Sequence, residues 1–232
     1  MVSDEVYPNS PLRGVVFEIR FPGEPGIECH RDQFFDAVRQ QFPQVLVPKL
    51  REGEAAALTP YHFQSADNST ALLTAMNLFA YRTNTYPGFA GFRAETLRWI
   101  KAFTEVFPID KLNRTGLRYT NVIPFPPGQG FPIEHYLKLQ VHLGGEQVAR
   151  FDQFFMTSRI LVGKGSLTIQ VGRADVPGRD AIVLDFDYAR EGELRIAHIE
   201  EYLEQSHQET KTLFEGLLTD EYRSYMRGEE LR

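Results

Sequence analysis

The chain has 232 residues, 42% hydrophobic and 24% charged, and its 25 Lys and Arg stand against 31 Asp and Glu for a net charge of −6. This is globular composition, which excludes a disordered tail or a fibrous repeat, and the acidic balance excludes a broadly basic, phosphate-coating surface. At about 150 residues per domain the length admits one large domain or two small halves, and 18 Phe and 10 Tyr provide for a large core.

In chain order, Met1 to Pro8 carries Asp4 and Glu5 where a secretion signal needs basic residues and then an apolar run. No uncharged apolar stretch approaches the ~18–20 residues that span a bilayer, so a soluble, cytoplasmic protein with no membrane partner is expected. Val15, Phe17, Ile19 and Phe21 alternate with Val16, Glu18 and Arg20, predicting a half-buried strand over 14–21. The lone Cys29 excludes an intrachain disulfide and a multi-cysteine metal site, and its neighbour His30 is not placed to complete a ligand pair. Phe34, Phe35, Val38 and Phe42 share one stripe of a helix over 32–42 that Pro43 ends. Strands follow at 61–65, 70–74 and 78–83, the first two joined by the turn Ala66-Asp67-Asn68-Ser69. Phe92, Thr96, Ile100, Phe103 and Phe107 then mark a helix closed by Pro108.

The second half opens with a strand over 116–123, stopped by Pro124, Pro126 and Pro127, and one or two helical turns over 131–137. Strands are expected at 138–143, 151–162, 166–173 and 181–189, with a long helix over 195–226. The element order is β-α-β-β-β-α and then β-α-β-β-β-β-α. This predicts an α+β protein of two similar halves, 1–110 and 111–232, built of mainly antiparallel sheet and ended by a long C-terminal helix. The short link over 109–115 argues for one compact body.

Gly163-Lys164-Gly165-Ser166 lacks the first glycine of a phosphate loop and joins strand to strand, so it is read as a hairpin; Gly128-Gln129-Gly130 is read as a loop. Asp185 and Asp187 alternate on one strand and project from the face opposite Ile182, Leu184, Phe186 and Tyr188. Two such carboxylates, with Glu18 as a third, could hold a divalent metal or share a proton, or could pair with Arg20, Arg118 or Arg173. On the last helix His207 lies among Leu203, Leu213, Phe214 and Leu217 with Ser206 and Thr210 beside it, as a register-setting buried imidazole or as a base in a cavity. Arg93, Arg98, Lys101, Lys111, Arg114 and Arg118, interleaved with Trp99 and Tyr119, form the one basic cluster, either a solvated helix face or a single-stranded nucleic-acid contact.

Tyr7-Pro8-Asn9-Ser10-Pro11-Leu12, the central Arg114-Thr115-Gly116-Leu117-Arg118-Tyr119-Thr120-Asn121-Val122-Ile123, and the ending from Ser206-His207-Gln208 through Phe214 to Thr219-Asp220-Glu221 together resemble one family. It is the sporadically distributed bacterial and archaeal family of uncharacterised proteins with a Gly-Leu-Arg-Tyr-x-Asn centre and a terminal helix carrying His, Phe and Thr-Asp-Glu. The resemblance spans essentially the whole chain and implies no activity, cofactor or catalytic residue; the patchy distribution is compatible with mobile or defence-associated genes and with partner recognition or regulation. Gly116, Leu117, Arg118, Tyr119, Asn121, His207, Phe214, Thr219 and Asp220 match its motifs, while Thr120 and Val122 depart from the larger residues more common there.

Read physically, the central strand turns Tyr119 and Asn121 to the core and Arg118 away from it, and buried Tyr and Asn must find hydrogen bonds, with His207 and Ser206 as candidate partners. This predicts a polar seam between the central strand and the last helix, which becomes a site where it opens onto a pocket. Arg118, Tyr119, Asn121 and His207 are thus the candidate binding residues, and no cofactor is expected. The expected function is a non-enzymatic binding, interaction or regulatory protein whose partner is another protein or a second copy of itself. The alternatives are a metal-dependent or hydrolytic enzyme using Asp185 and Asp187 or His207, and single-stranded nucleic-acid binding through the cluster over 93–118.

Overall fold

The computed structural model describes residues 7–53, 55–125, 133–140, 153–176 and 179–230. Among these residues, period-two patterning yields nine strands: β1 (Leu12–Arg20), β2 (Gln44–Leu46), β3 (Tyr61–Gln64), β4 (Thr70–Ala75), β5 (Leu78–Thr83), β6 (Lys111–Phe125), β7 (Phe155–Val162), β8 (Gly165–Val176) and β9 (Arg179–Arg195). They join in one antiparallel sheet of order β2-β3-β4-β5-β1-β6-β9-β8-β7. Helices α1 (Gly26–Cys29), α2 (Arg31–Val38), α3 (Phe89–Val106), α4 (Ile133–Tyr136), α5 (Ile199–Leu217) and α6 (Asp220–Met226) complete the α+β fold.

The strand order reads symmetrically about its centre. From β1 the sheet runs outward through β5, β4 and β3; from β6 it runs outward through β9, β8 and β7, and α3 follows β5 as α5 follows β9. The two opening strands pair antiparallel, Val15 opposite Tyr119 and Phe17 opposite Leu117. A twofold relation through the middle of a sheet requires that geometry, so the two similar halves share one hydrogen-bonded body.

The apolar face is buried in two clusters. Val15, Phe17 and Ile19 of β1 pack with Phe34, Phe79, Phe92 and Phe103, and Phe34 meets Phe63 and Phe103 edge-on with centroids 5.5 Å apart in each pair. Such edge-to-face pairs add about 0.5–1.5 kcal/mol each beyond their buried area. Around β9, Leu184, Phe186 and Tyr188 pack with Leu167, Val171 and Tyr222.

Several boundaries differ from the sequence reading for identifiable reasons. The first-half helix, α2, ends at Val38 rather than at Pro43, a separate short helix, α1, precedes it across His30, and a short edge strand, β2, pairs with β3. Pro124 does not stop β6: the β1 side of β6 ends where Val122 N donates to Pro11 O at 2.9 Å, and a proline is tolerated beyond the neighbouring strand. Residues 138–140 are not a strand, and the remainder of that expected strand, like Gly128-Gln129-Gly130 and residues 151–152, lies outside the described residues. Gly163 and Lys164 form a two-residue hairpin, with Val162 opposite Gly165 and Gly163 at φ 57°.

The long C-terminal helix forms as α5, with bounds narrower than the 195–226 expected. Arg195 belongs to β9, and the helix breaks at Leu218, which is extended and bridges to Leu137. Lys138 N donates to Leu217 O at 2.6 Å and Thr219 N to Tyr136 O at 3.1 Å, satisfying terminal backbone groups across chains of the fold rather than along one helix. Thr219 then caps α6, its Oγ1 accepting from Tyr222 N at 3.2 Å. No helix among the described residues is long and apolar enough to cross a membrane.

Candidate functional site

The central strand carries two chemistries on its two faces because successive side chains alternate. On the helix side Leu117, Tyr119, Asn121 and Ile123 are buried. On the other side Arg114, Arg118 and Thr120 meet the acids of β9.

On the helix side the predicted polar seam forms in part. The Tyr119 hydroxyl and His207 Nδ1 share a hydrogen bond of 2.8 Å. Phe89, the first residue of α3, stacks on the imidazole with centroids 3.7 Å apart and planes within 7°, and Tyr86 meets Tyr119 edge-on at 6.0 Å. His207 thus ties α5, α3 and β6 together. Ser206 takes no part, since its hydroxyl donates back to Tyr202 O at 2.7 Å, as Thr210 does to Ser206 O at 2.8 Å. Asn121 turns instead along the sheet, its Nδ2 donating to Leu184 O at 3.2 Å.

The seam opens onto a cavity of about 120 Å³ lying where the two core clusters meet. Leu12, Phe89, Phe186, Phe214 and Met226 supply its apolar wall, while Asn121, His207 and Thr210 supply polar groups. Its remaining side is the segment 7–11, which also contributes Tyr7 and Ser10. That segment is tied down by Tyr7 Oη donating to Glu215 Oε1 at 2.7 Å, Asn9 N to Met226 O at 3.1 Å and Asn9 Nδ2 to Tyr225 O at 2.8 Å. Among the candidate binding residues, the fold therefore brings Tyr119, Asn121 and His207 together and leaves Arg118 on the opposite face. Tyr7, Ser10, Tyr86 and Phe89 join them at the cavity; Tyr7 and Ser10 lie in the proline-flanked segment before β1, whereas no local sequence signal marks Tyr86 or Phe89.

On the opposite face the two aspartates are paired with arginines. Asp185 is 3% exposed and both its oxygens accept from Arg118 Nε, at 2.8 and 3.0 Å, with Thr120 Oγ1 donating to Oδ1 at 2.8 Å. Arg114 bridges Glu18 at 2.8 Å and Asp187 at 3.3 Å. Its guanidinium lies across Gly116, where a Cβ would stand 2.6 Å from Nη1. The lone pairs that a cation would need are committed to arginines, and no cluster of three metal-ligating side chains occurs among the described residues. Arg20 reaches Glu18 and Arg173 reaches Asp180 rather than the aspartate pair.

The basic cluster is divided by the same geometry. Arg93 pairs with Glu200 and Glu204, Arg98 with Glu95, and Lys101 with Glu105, all on helices. Trp99 is buried with its Nε1 donating to Glu95 Oε2 at 3.0 Å. Arg98 lies over the ring of the buried Trp99 at 4.4 Å, whereas Arg114 and Arg118 lie on the far face of the sheet from Tyr119. No family model, curated protein or solved structure matches the chain.

His207→Ala removes the Tyr119 hydrogen bond and the Phe89 stack together and is expected to cost about 1–3 kcal/mol of stability. Denaturant midpoints measure it, and an unchanged midpoint would show that the imidazole carries no structural load. On the other face, burial pushes the Asp187 carboxyl above its ordinary 3.8, while the Arg114 and Arg118 guanidinium groups pull the opposite way. A raised folded value means that the native state holds the proton better, so this contribution is complete below pH 3.8 and is lost as pH rises through the folded value. Asp187→Asn should flatten the stability curve just above that pH; an unaltered slope would contradict the assignment.

Proposed function

We propose that this is a non-enzymatic binding protein whose ligand site is the cavity between β6, α3 and α5. The observation that carries the reading is convergence: Tyr119 and Asn121 from the central strand and His207 from α5 meet at one cavity, though Asn121 and His207 are 86 positions apart. These are motif residues of the resemblance to the sporadically distributed family, and their convergence supports reading them as a site; a role in recognition or regulation fits that arrangement. The groups a hydrolytic enzyme would need are separated instead, since Asp185 and Asp187 face away from His207 across the sheet and are held by arginines. A concave, aromatic-walled space with a few convergent polar groups is what small-molecule sites share.

Dissolved benzene tests the cavity because a dry apolar cavity of about 150 Å³ admits it. At ten times its Kd, benzene should raise the melting temperature by about 3–6 °C and shift the methyl resonances of Leu12 and Met226. Shifts elsewhere only, or none at saturation, would overturn the reading.

A partner for the protein is suggested by the β7 edge, which has no neighbouring strand on its outer side among the described residues. Phe155 and Leu161 on β7 are 72% and 88% exposed. About Ser158 the strand carries apolar side chains at matched positions on either side, so two copies pairing antiparallel there would set Phe155 against the partner's Leu161 and Met156 against the partner's Ile160. A second copy of the chain is accordingly the proposed partner. Sedimentation at tens of micromolar should show a dimer that Leu161→Lys dissociates; a monomer, or a dimer indifferent to that change, would sink it.

A further inference from the structure

Several of the cavity's polar side chains are hydrogen-bonded within the protein. Tyr119 Oη is joined to His207 Nδ1, Thr210 Oγ1 donates to Ser206 O and Tyr7 Oη donates to Glu215 Oε1. Asn121 differs. Its side chain is 4% exposed and lines the cavity, and its Nδ2 donates to Leu184 O at 3.2 Å. That bond decides which end of the amide is the oxygen, and among the described residues no donor reaches Oδ1. Asn121 Oδ1 is thus an acceptor left to whatever occupies the cavity: an apolar occupant displaces water from it with no bond in return, whereas one that carries a donor keeps a hydrogen bond there.

The remainder of the wall restricts what can bring that donor. A space of about 120 Å³ holds one ring or a short branched chain. Phe89, Phe186 and Phe214 offer ring faces and edges, which favour an aromatic occupant over an aliphatic one of equal size. Lys211 and Glu215 contribute opposite charges to the lining, so the site selects neither an anion nor a cation.

We infer that the ligand is a compact, uncharged aromatic molecule with one N–H or O–H donor, bound with that donor on Asn121 Oδ1. This rests on the proposal that the cavity is the ligand site. Phenol and fluorobenzene are suitable probes, since each is one ring with one small substituent, they have nearly the same shape, and only phenol carries an O–H. Titration calorimetry on the full chain should give phenol an affinity about tenfold above that of fluorobenzene, with both probes shifting the Met226 methyl resonance. In Asn121→Leu the preference should vanish while fluorobenzene still binds. Equal affinities in the wild-type protein would overturn the donor assignment and leave the cavity reading standing, whereas failure of both probes to bind would overturn the cavity itself. The wild-type ratio decides the matter even if the variant does not fold.

Discussion

Backbone pairing between β1 and β6 joins the two halves, and most other features of the molecule follow from how that pair is placed. Each strand opens its own half, and antiparallel pairing at the centre makes one half the rotated counterpart of the other. The helices that close the halves, α3 and α5, then come to the same side of one sheet and approach each other over its middle. Two helices laid on a sheet from opposite ends cannot fill the space between them with backbone, so side chains must bridge it. Phe89, His207 and Tyr119 do so by stacking and hydrogen bonding. The cavity is what they leave unfilled.

The segment 7–11 belongs to the same logic. It precedes β1 and therefore reaches the sheet's centre by covalent connection, and Pro11 O extends the central pairing by accepting from Val122 N. Its bonds to Glu215, Tyr225 and Met226 attach the chain's beginning to α5 and α6 near its end. Glu215 is itself held by Arg223 at 3.4 Å, so this side of the cavity is fixed by charge-assisted contacts rather than by packing alone.

The sheet's two faces are balanced in different ways. The helix side is stabilised by area and aromatic geometry, the far side by alternating charge: Glu18, Arg114 and Asp187 form one run, Arg118, Asp185 and Thr120 another. Gly116 gives Arg114 the room to span two strands. One fifteen-residue strand, β6, thus carries both systems, with Leu117 and Tyr119 serving one and Arg114 and Arg118 the other.

The sequence by itself determined the elements whose signals are local. Alternation at Val15, Phe17 and Ile19 made β1, helical spacing of Phe92, Thr96, Ile100 and Phe103 made α3, and alternation along β6 and β9 set which face each of Tyr119, Asn121, Arg118 and Asp185 would take. The strand–helix order announced two similar halves of an α+β fold. Only the tertiary structure decided what those faces meet. The break at Leu218 follows from a bridge to Leu137, a contact across 81 residues that no local pattern encodes. Asp185 and Asp187, spaced well for a metal, are bound to arginines because the β6/β9 register sets Arg118 opposite Asp187 and Thr120 opposite Asp185. Tyr119 and His207 were each legible as polar groups needing partners, yet their meeting with Phe89 and Tyr7 around one cavity depends on strand order. Periodicity fixes the direction of a side chain within its own element, whereas the identity of its neighbour is set by long-range pairing, which leaves no trace at short spacing.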